Sequence, residues 1–404
     1  MVHFQSTFGG NSGIQAAADS NLRFDGDVTL GDGNTGSLLP GIVQLDGLTF
    51  SGFDEITFGT TTLSGAAVSV NSNNSPIAFT GTVNGAQNLS LTAGSGNIDF
   101  DAAIGALSRL GTLTIVSAAN VTADSSIEVA AVSQQAGTGT TTFTDSVNTN
   151  AAAGVSLTTA NVVLNNGLTT TNGGPLSANL TGTFSMTGST TNSVAGAASV
   201  TAAGAITVGA SASLTSPAEI LLKSTGNSIL LQSAVTVTSS NANVVLEAED
   251  SISLNSDGVV TATTGELILR SGLDSTDGTG GMVLDGTLQA LAAGQTITLD
   301  LNDEQGATQN SGTGAILATN LRLISNTQTT ASFSLLAESR NDVDVLAAST
   351  SGAVTFRDLD DLTIGSITGT SGIPDMSGIS TVNSASEGAA VSVVVTGALV
   401  ANQP

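Results

Sequence analysis

Acidic side chains two positions apart are the groups in this 404-residue chain whose types and spacing could do chemistry. Asp99 and Asp101, Glu247 and Glu249, Asp342 and Asp344, and Asp358 with Asp360 and Asp361 are such sets. On a β-strand, residues i and i+2 share a face, so a pair of this kind could divide acid and base roles if a cleft kept one carboxyl protonated. Sites that cleave sugars usually also stack rings on Trp or Tyr, and the chain has neither. The pairs are therefore expected to be solvated and outward-facing. The sole histidine, His3, stands beside the amino terminus and is expected to be unanchored, so a Ser-His-Asp triad or a multi-histidine metal site lacks members. With no cysteine, disulfides, thiolate metal sites and cysteine nucleophiles drop out together.

Calcium is the more credible chemistry, because it is held by roughly six to eight oxygens of the kind this chain supplies. The expected ligands, if the ion binds, are Asp300, Asn302 and Glu304 in one set and Asp358, Asp360 and Asp361 in another. Asp25 with Asp27 and Asp32, and Asp274 with Asp277, form two further acidic clusters. Asp300-Leu-Asn-Asp-Glu304 opens like an EF-hand loop, but Gln305 stands where that loop needs a glycine. No other cofactor is expected.

The elements that must position these acids are legible in a repeat. Two aliphatic residues flanking one other residue return every 19 to 24 positions: Ile206-Thr-Val208, Ile229-Leu-Leu231 and Ile252-Ser-Leu254, interleaved with Ile220-Leu-Leu222, Val244-Val-Leu246 and Leu267-Ile-Leu269. Val68 and Leu89, Ile77 and Ile98, Leu321 and Val343, Phe333 and Val354, and Val343 and Leu362 extend the series. Each dyad directs two side chains to one side of a strand, and a single coil cannot bury that side alone. A stacked repeat follows, with variable turns pushed to the corners. Asparagine precedes many of the strands, at Asn88, Asn97, Asn120, Asn161, Asn243 and Asn320, where its tolerance of left-handed backbone and its local hydrogen bonding suit a corner. Residues 131–195 read as solenoid with loose turns, and 365–387 as a long loop before a last strand pair around Val391 to Val395.

Composition sets limits on partners. Seven basic residues against 32 acidic ones give a formal charge of −25, which repels nucleic acid and anionic lipid surfaces. No apolar run is long enough for a transmembrane helix. The core is expected to be aliphatic, since only 3% of residues are aromatic, all of them Phe and half of them in the first 58 positions.

Asn88-Leu-Ser-Leu-Thr-Ala-Gly-Ser-Gly-Asn-Ile98, Gly111-Thr-Leu-Thr-Ile-Val-Ser-Ala-Ala-Asn-Val121 and Asp361-Leu-Thr-Ile-Gly-Ser-Ile-Thr-Gly369 resemble the repeats of filamentous-haemagglutinin-type exoproteins and other giant bacterial β-strand-repeat surface proteins. The resemblance spans about residues 60–365, without the Asn-Pro-Asn motifs of the two-partner secretion domain. It implies a right-handed parallel β-helix, secretion to the bacterial surface and an adhesive or matrix role.

The resulting expectation is an all-β chain, a right-handed parallel β-solenoid with coils of about 19 to 24 residues and 17 to 20 coils in all. Three sections are expected: 1–60, a solenoid section or partial cap; 61–364, regular solenoid; and 365–404, loop and terminal strand pair. The expected role is structural, as an adhesin stalk, spacer or filament-forming segment at the cell surface, with end-to-end self-association and a possible host-surface or matrix ligand. The chain looks like a piece of a longer protein. The alternatives are a carbohydrate-active β-helix enzyme and a calcium-dependent binding module.

Overall fold

The aliphatic dyads become strands because alternation fits a pleat with one buried side. Ile206–Val208, Ile229–Leu231 and Ile252–Leu254 each bury their first and third residues and leave the middle one partly exposed. The computed structural model describes residues 1–404 apart from 32–34, 274–279, 303–305, 310–311, 326–330, 338–339, 371, 383–386 and 403–404. Among these the chain is all-β without a helix, a parallel β-solenoid of about 16 turns with strands stacked about 22 residues apart. It forms two compact units, Met1–Met186 with Thr191–Gly196, and Thr187–Thr190 with Ala197–Pro404.

Between residues 206 and 301 each turn contributes three strands, one to each of three parallel ladders around one core. In the second unit the first face runs Ile206–Val208, Ile229–Leu231, Ile252–Leu254 and Met282–Leu284. The second face runs Ser213–Ser216, Thr236–Ser239, Val259–Ala262 and Thr287–Ala290. The third runs Ile220–Ser224, Val244–Ala248, Leu267–Ser271 and Thr296–Leu301. The coil length drifts more than expected: Ile229 pairs with Ile252, 23 positions on, but Ile252 pairs with Met282, 30 positions on. Longer coils explain why the turns fall short of the expected 17 to 20. Two expected registers also shift. Leu321 pairs with Leu346 rather than Val343, and Val343 pairs with Ala318, while Leu362 pairs with Leu399.

In the first unit the core is aromatic where Phe is frequent. Phe58, Phe79 and Phe100 stack at 5.2 and 5.3 Å, one per coil, and Phe4 stacks on Phe24 at 4.7 Å. Residues 131–195 continue the solenoid in regular parallel strands. Their dyads look weak because polar side chains occupy inward positions: Gln134, Thr141, Thr149, Thr159, Thr170 and Asn192 are all buried. Thr141 Oγ1 donates to Gln134 Oε1 at 2.7 Å, and Asn192 Oδ1 accepts the Leu168 N–H at 3.0 Å, so several of these groups are satisfied inside the core.

The corner asparagines act through their side chains. Asn120 takes the Oδ1 of Asn97 on both its backbone and side-chain N–H groups, at 3.2 and 3.1 Å. Asn120 Oδ1 in turn accepts the Thr140 N–H, and Asn161 Oδ1 the Thr183 N–H, each at 2.8 Å. Asn88 and Asn243 do the same for Thr112 and Glu266. Each amide bridges to the next coil where the ladder hydrogen bonds are interrupted. Left-handed backbone is not the reason for Asn at these six positions; among asparagines it occurs at Asn73, Asn74 and Asn172.

Candidate functional site

Asp300 lies on the outward side of the third face, in a row of alternating charge. Lys223, Glu247, Arg270 and Asp300 are successive register partners. Glu247 accepts from Lys223 Nζ at 2.8 Å and from Arg270 Nη1 at 2.7 Å, and Arg270 Nε stands 3.5 Å from Asp300. Burial pushes the Glu247 carboxyl up, but its two cations outweigh that and leave it below the usual carboxylate range. Asp300 has one cation and more burial, so its carboxyl is raised, and its Oδ1 has no partner. Asn302 follows, its backbone N–H donating to Ser271 O at 3.0 Å, and Glu304 lies outside the described residues. The neighbour of Asp300 is therefore a guanidinium, in a row that satisfies charges across coils.

The second expected set separates. Asp358 turns inward and is fully buried, against the expectation that the acid pairs all face solvent. The cause is topological: Val354–Asp358 keeps its strand alternation to the last residue, so Asp358 takes an inward position. Its Oδ1 accepts the Val343 N–H at 3.2 Å, and its Oδ2 has no partner. Burial raises its carboxyl to about 7; the Asp360 and Val343 backbone N–H groups pull it down, while the Asp360 and Asp342 carboxylates push it further up. Asp360 and Asp361 are exposed, and Asp361 Oδ1 accepts the Ala398 N–H at 2.6 Å.

The other acids are also engaged singly. Asp25 binds His3 Nε2 at 2.5 Å and Arg23 Nε at 2.6 Å, and Arg23, followed by His3, holds its carboxyl below the usual range. His3 is thus held in the strand Val2–Phe4 and not unanchored. Asp27 Oδ1 accepts the Thr49 N–H at 2.8 Å, and Asp32, Asp274 and Asp277 lie outside the described residues. Burial raises Asp99, with Thr122 donating to it and opposing the rise. Asp342 and Asp344 line a shallow groove of about 200 Å³ beside Leu291 and Leu317, smaller than the usual ~300 Å³ or more of a ligand pocket. Among the described residues no group of three or more His, Asp or Glu side chains could hold a metal ion. No helix among them is long and apolar enough to cross a membrane.

Residues 365–387 contain more than a loop. Ser366–Ile367 pairs antiparallel with Met376–Ser377, and Thr370 bridges Ile373, making a hairpin. It lies on the outward side of the third face: Thr370 Oγ1 donates to Glu266 at 3.0 Å, and Ile367 and Met376 pack with Ala347, Ile324 and Val345. Under this strap the alternation of burial is lost at Leu267–Leu269, and Ile268, Thr298, Arg322 and Ala347, which are register partners, are all buried. Arg322 is fully buried. It donates to Thr298 Oγ1 at 3.3 Å and Thr368 O at 2.6 Å, leaving Nε without a partner, and burial lowers its pKa against the pull of Glu266 and Asp375. The single sign in the sequence was an arginine set between Leu321 and Leu323-Ile324.

The geometry defines a β-solenoid whose polar groups mostly bond from one coil to the next. Comparison with family models, curated proteins and solved structures finds no match for this chain.

Proposed function

We propose that the chain is a non-enzymatic structural segment of a secreted bacterial surface protein, a spacer or stalk able to pair end to end with another copy. One observation carries this reading: backbone, apolar side chains and corner amides all hand their bonds to the next coil, so the same surface is regenerated turn after turn. Val391–Val395 pairs with Val354–Asp358 on one side and with no described strand on the other. Val391 and Leu399, at inward register positions opposite Val354 and Leu362, are 47% and 48% exposed. An unpaired parallel edge beside uncovered apolar side chains is a template for another coil. The charge of −25 opposes such pairing, and salt screens that repulsion. Light scattering and electron microscopy from about 0.02 to about 1 M salt should show end-to-end assemblies growing with ionic strength. Monomers at every salt concentration would overturn the pairing, and cleavage of polysaccharide substrates would overturn the non-enzymatic reading.

A further inference from the structure

Asn-Gly occurs three times in the chain, at Asn84-Gly85, Asn166-Gly167 and Asn172-Gly173. Such a pair can cyclise without a catalyst, because glycine places no side chain around the backbone nitrogen that attacks the amide carbon of the asparagine. In a folded chain the outcome depends on where that nitrogen and that amide are held. Asn84 is buried, its Oδ1 accepts the Leu107 and Ser108 N–H groups at 2.9 and 3.3 Å, and the Gly85 N–H donates to Ser108 O at 3.1 Å. Both reacting groups are tied to the next coil. Asn172 is exposed in a turn, and its Nδ2 reaches across to Asn150 O at 2.6 Å. Asn166 differs from both: it is exposed, and the Gly167 N–H donates to the Oδ1 of Asn166 itself at 2.7 Å. The amide carbon is one C=O bond of about 1.2 Å from that oxygen, so it lies within about 4 Å of the attacking nitrogen. Asn166 Nδ2 donates to Asp145 Oδ1 at 2.8 Å, and Gly167 O accepts the Val147 N–H at 3.0 Å, which hold the side chain and the peptide that must meet.

We propose that Asn166-Gly167 is a site of spontaneous deamidation, at which the chain modifies itself with water as the only co-reactant. The Gly167 nitrogen gives up its proton and bonds to Cγ of Asn166, while the Cγ–Nδ2 bond breaks and Nδ2 takes up a proton and leaves as ammonia. Water then opens the cyclic imide at either carbonyl, leaving an aspartyl or an isoaspartyl residue at this position. Both products act on the fold. The hydrogen bond to Asp145 is replaced by two carboxylates facing each other on successive coils, at a corner where Asp101 and Asp124 follow the stacked strands below. The isoaspartyl form also lengthens the backbone just before Leu168, which is fully buried and must keep its register with Val147. The modification therefore adds a negative charge and loosens one coil of the first unit.

Incubating the whole chain at about pH 8, where loss of the nitrogen's proton is favoured, and following the three Asn-Gly peptides by mass spectrometry tests this. The Asn166 peptide should gain one mass unit and yield isoaspartate at least ~10-fold faster than the Asn84 peptide, and ahead of the Asn172 peptide. In denaturant, where no coil holds either amide, Asn84 and Asn166 should react at similar rates. Hydrogen exchange reads the consequence: Asn166→Asp should speed exchange of the Val147 amide several-fold, and Asp145→Asn in that background should restore it. Equal conversion at Asn84 and Asn166 in the folded chain, or conversion at Asn172 first, would overturn the site. Unchanged Val147 exchange in Asn166→Asp would overturn its effect on the coil.

Discussion

Asn97, Asn120, Thr140, Asn161 and Thr183 form a continuous polar seam along one corner of the first unit, each residue bonded to the next coil. Because this corner is partly wet, removing one amide does not strand its partner entirely. Asn120→Ala should cost about 1 kcal/mol and accelerate exchange of the Thr140 amide, which loses its acceptor, while amides two coils away are unchanged. Uniform acceleration along the unit would show that the seam is not local. Arg322 presents the opposite case, a charge taken out of water with no carboxylate in hydrogen-bonding contact. Arg322→Met should leave stability unchanged or raise it by about 1–2 kcal/mol, because the hydrogen bonds to Thr298 and Thr368 do not offset desolvation of a guanidinium. A calorimetric loss of melting temperature would instead make Arg322 the anchor of the strap.

The element that repeats is a three-residue strand with two inward side chains, and its register is what the fold depends on. Ile229 stands between Ile206 and Ile252 and is fully buried, whereas Ser253, one position beyond Ile252, points outward. Ile229→Asp should destabilise the second unit by roughly 3–5 kcal/mol, since an unpaired carboxylate would lie among aliphatics, and Ser253→Asp by less than about 1 kcal/mol. Chemical denaturation separates the two, and similar midpoints would refute the assigned inward face. These inward dyads were plain in the sequence between residues 200 and 270, where the paired inward positions of the first face, such as Ile206 and Val208 or Ile229 and Leu231, are aliphatic and the coils keep nearly one length. They were hidden between 131 and 195, where Thr, Gln and Asn face inward and pass for surface residues. After 315 the spacing misled: Leu321 and Val343 belong to different faces, because one long strand, Ala315–Ser325, turns a corner without a break and serves two ladders.

Across the whole molecule, each of the two units is a one-dimensional stack whose stability is the sum of contacts between neighbouring coils. The sequence by itself determined the class of fold, since a two-residue alternation repeated at nearly constant spacing can bury its apolar side only against copies of itself. It also determined that the chain is strongly acidic and that, with no cysteine, thiol chemistry is out of reach. Tertiary structure alone decided the fate of individual acids and of one arginine. Glu247 is neutralised from two neighbouring coils, Asp300 from one, and Asp358 is closed in with none. Arg322 is buried by a hairpin more than 40 positions further along the chain. Each outcome depends on which residue lies one coil above or below and on what folds across the face. Spacing along the chain does not encode those distances when one coil takes 23 residues and the next 30.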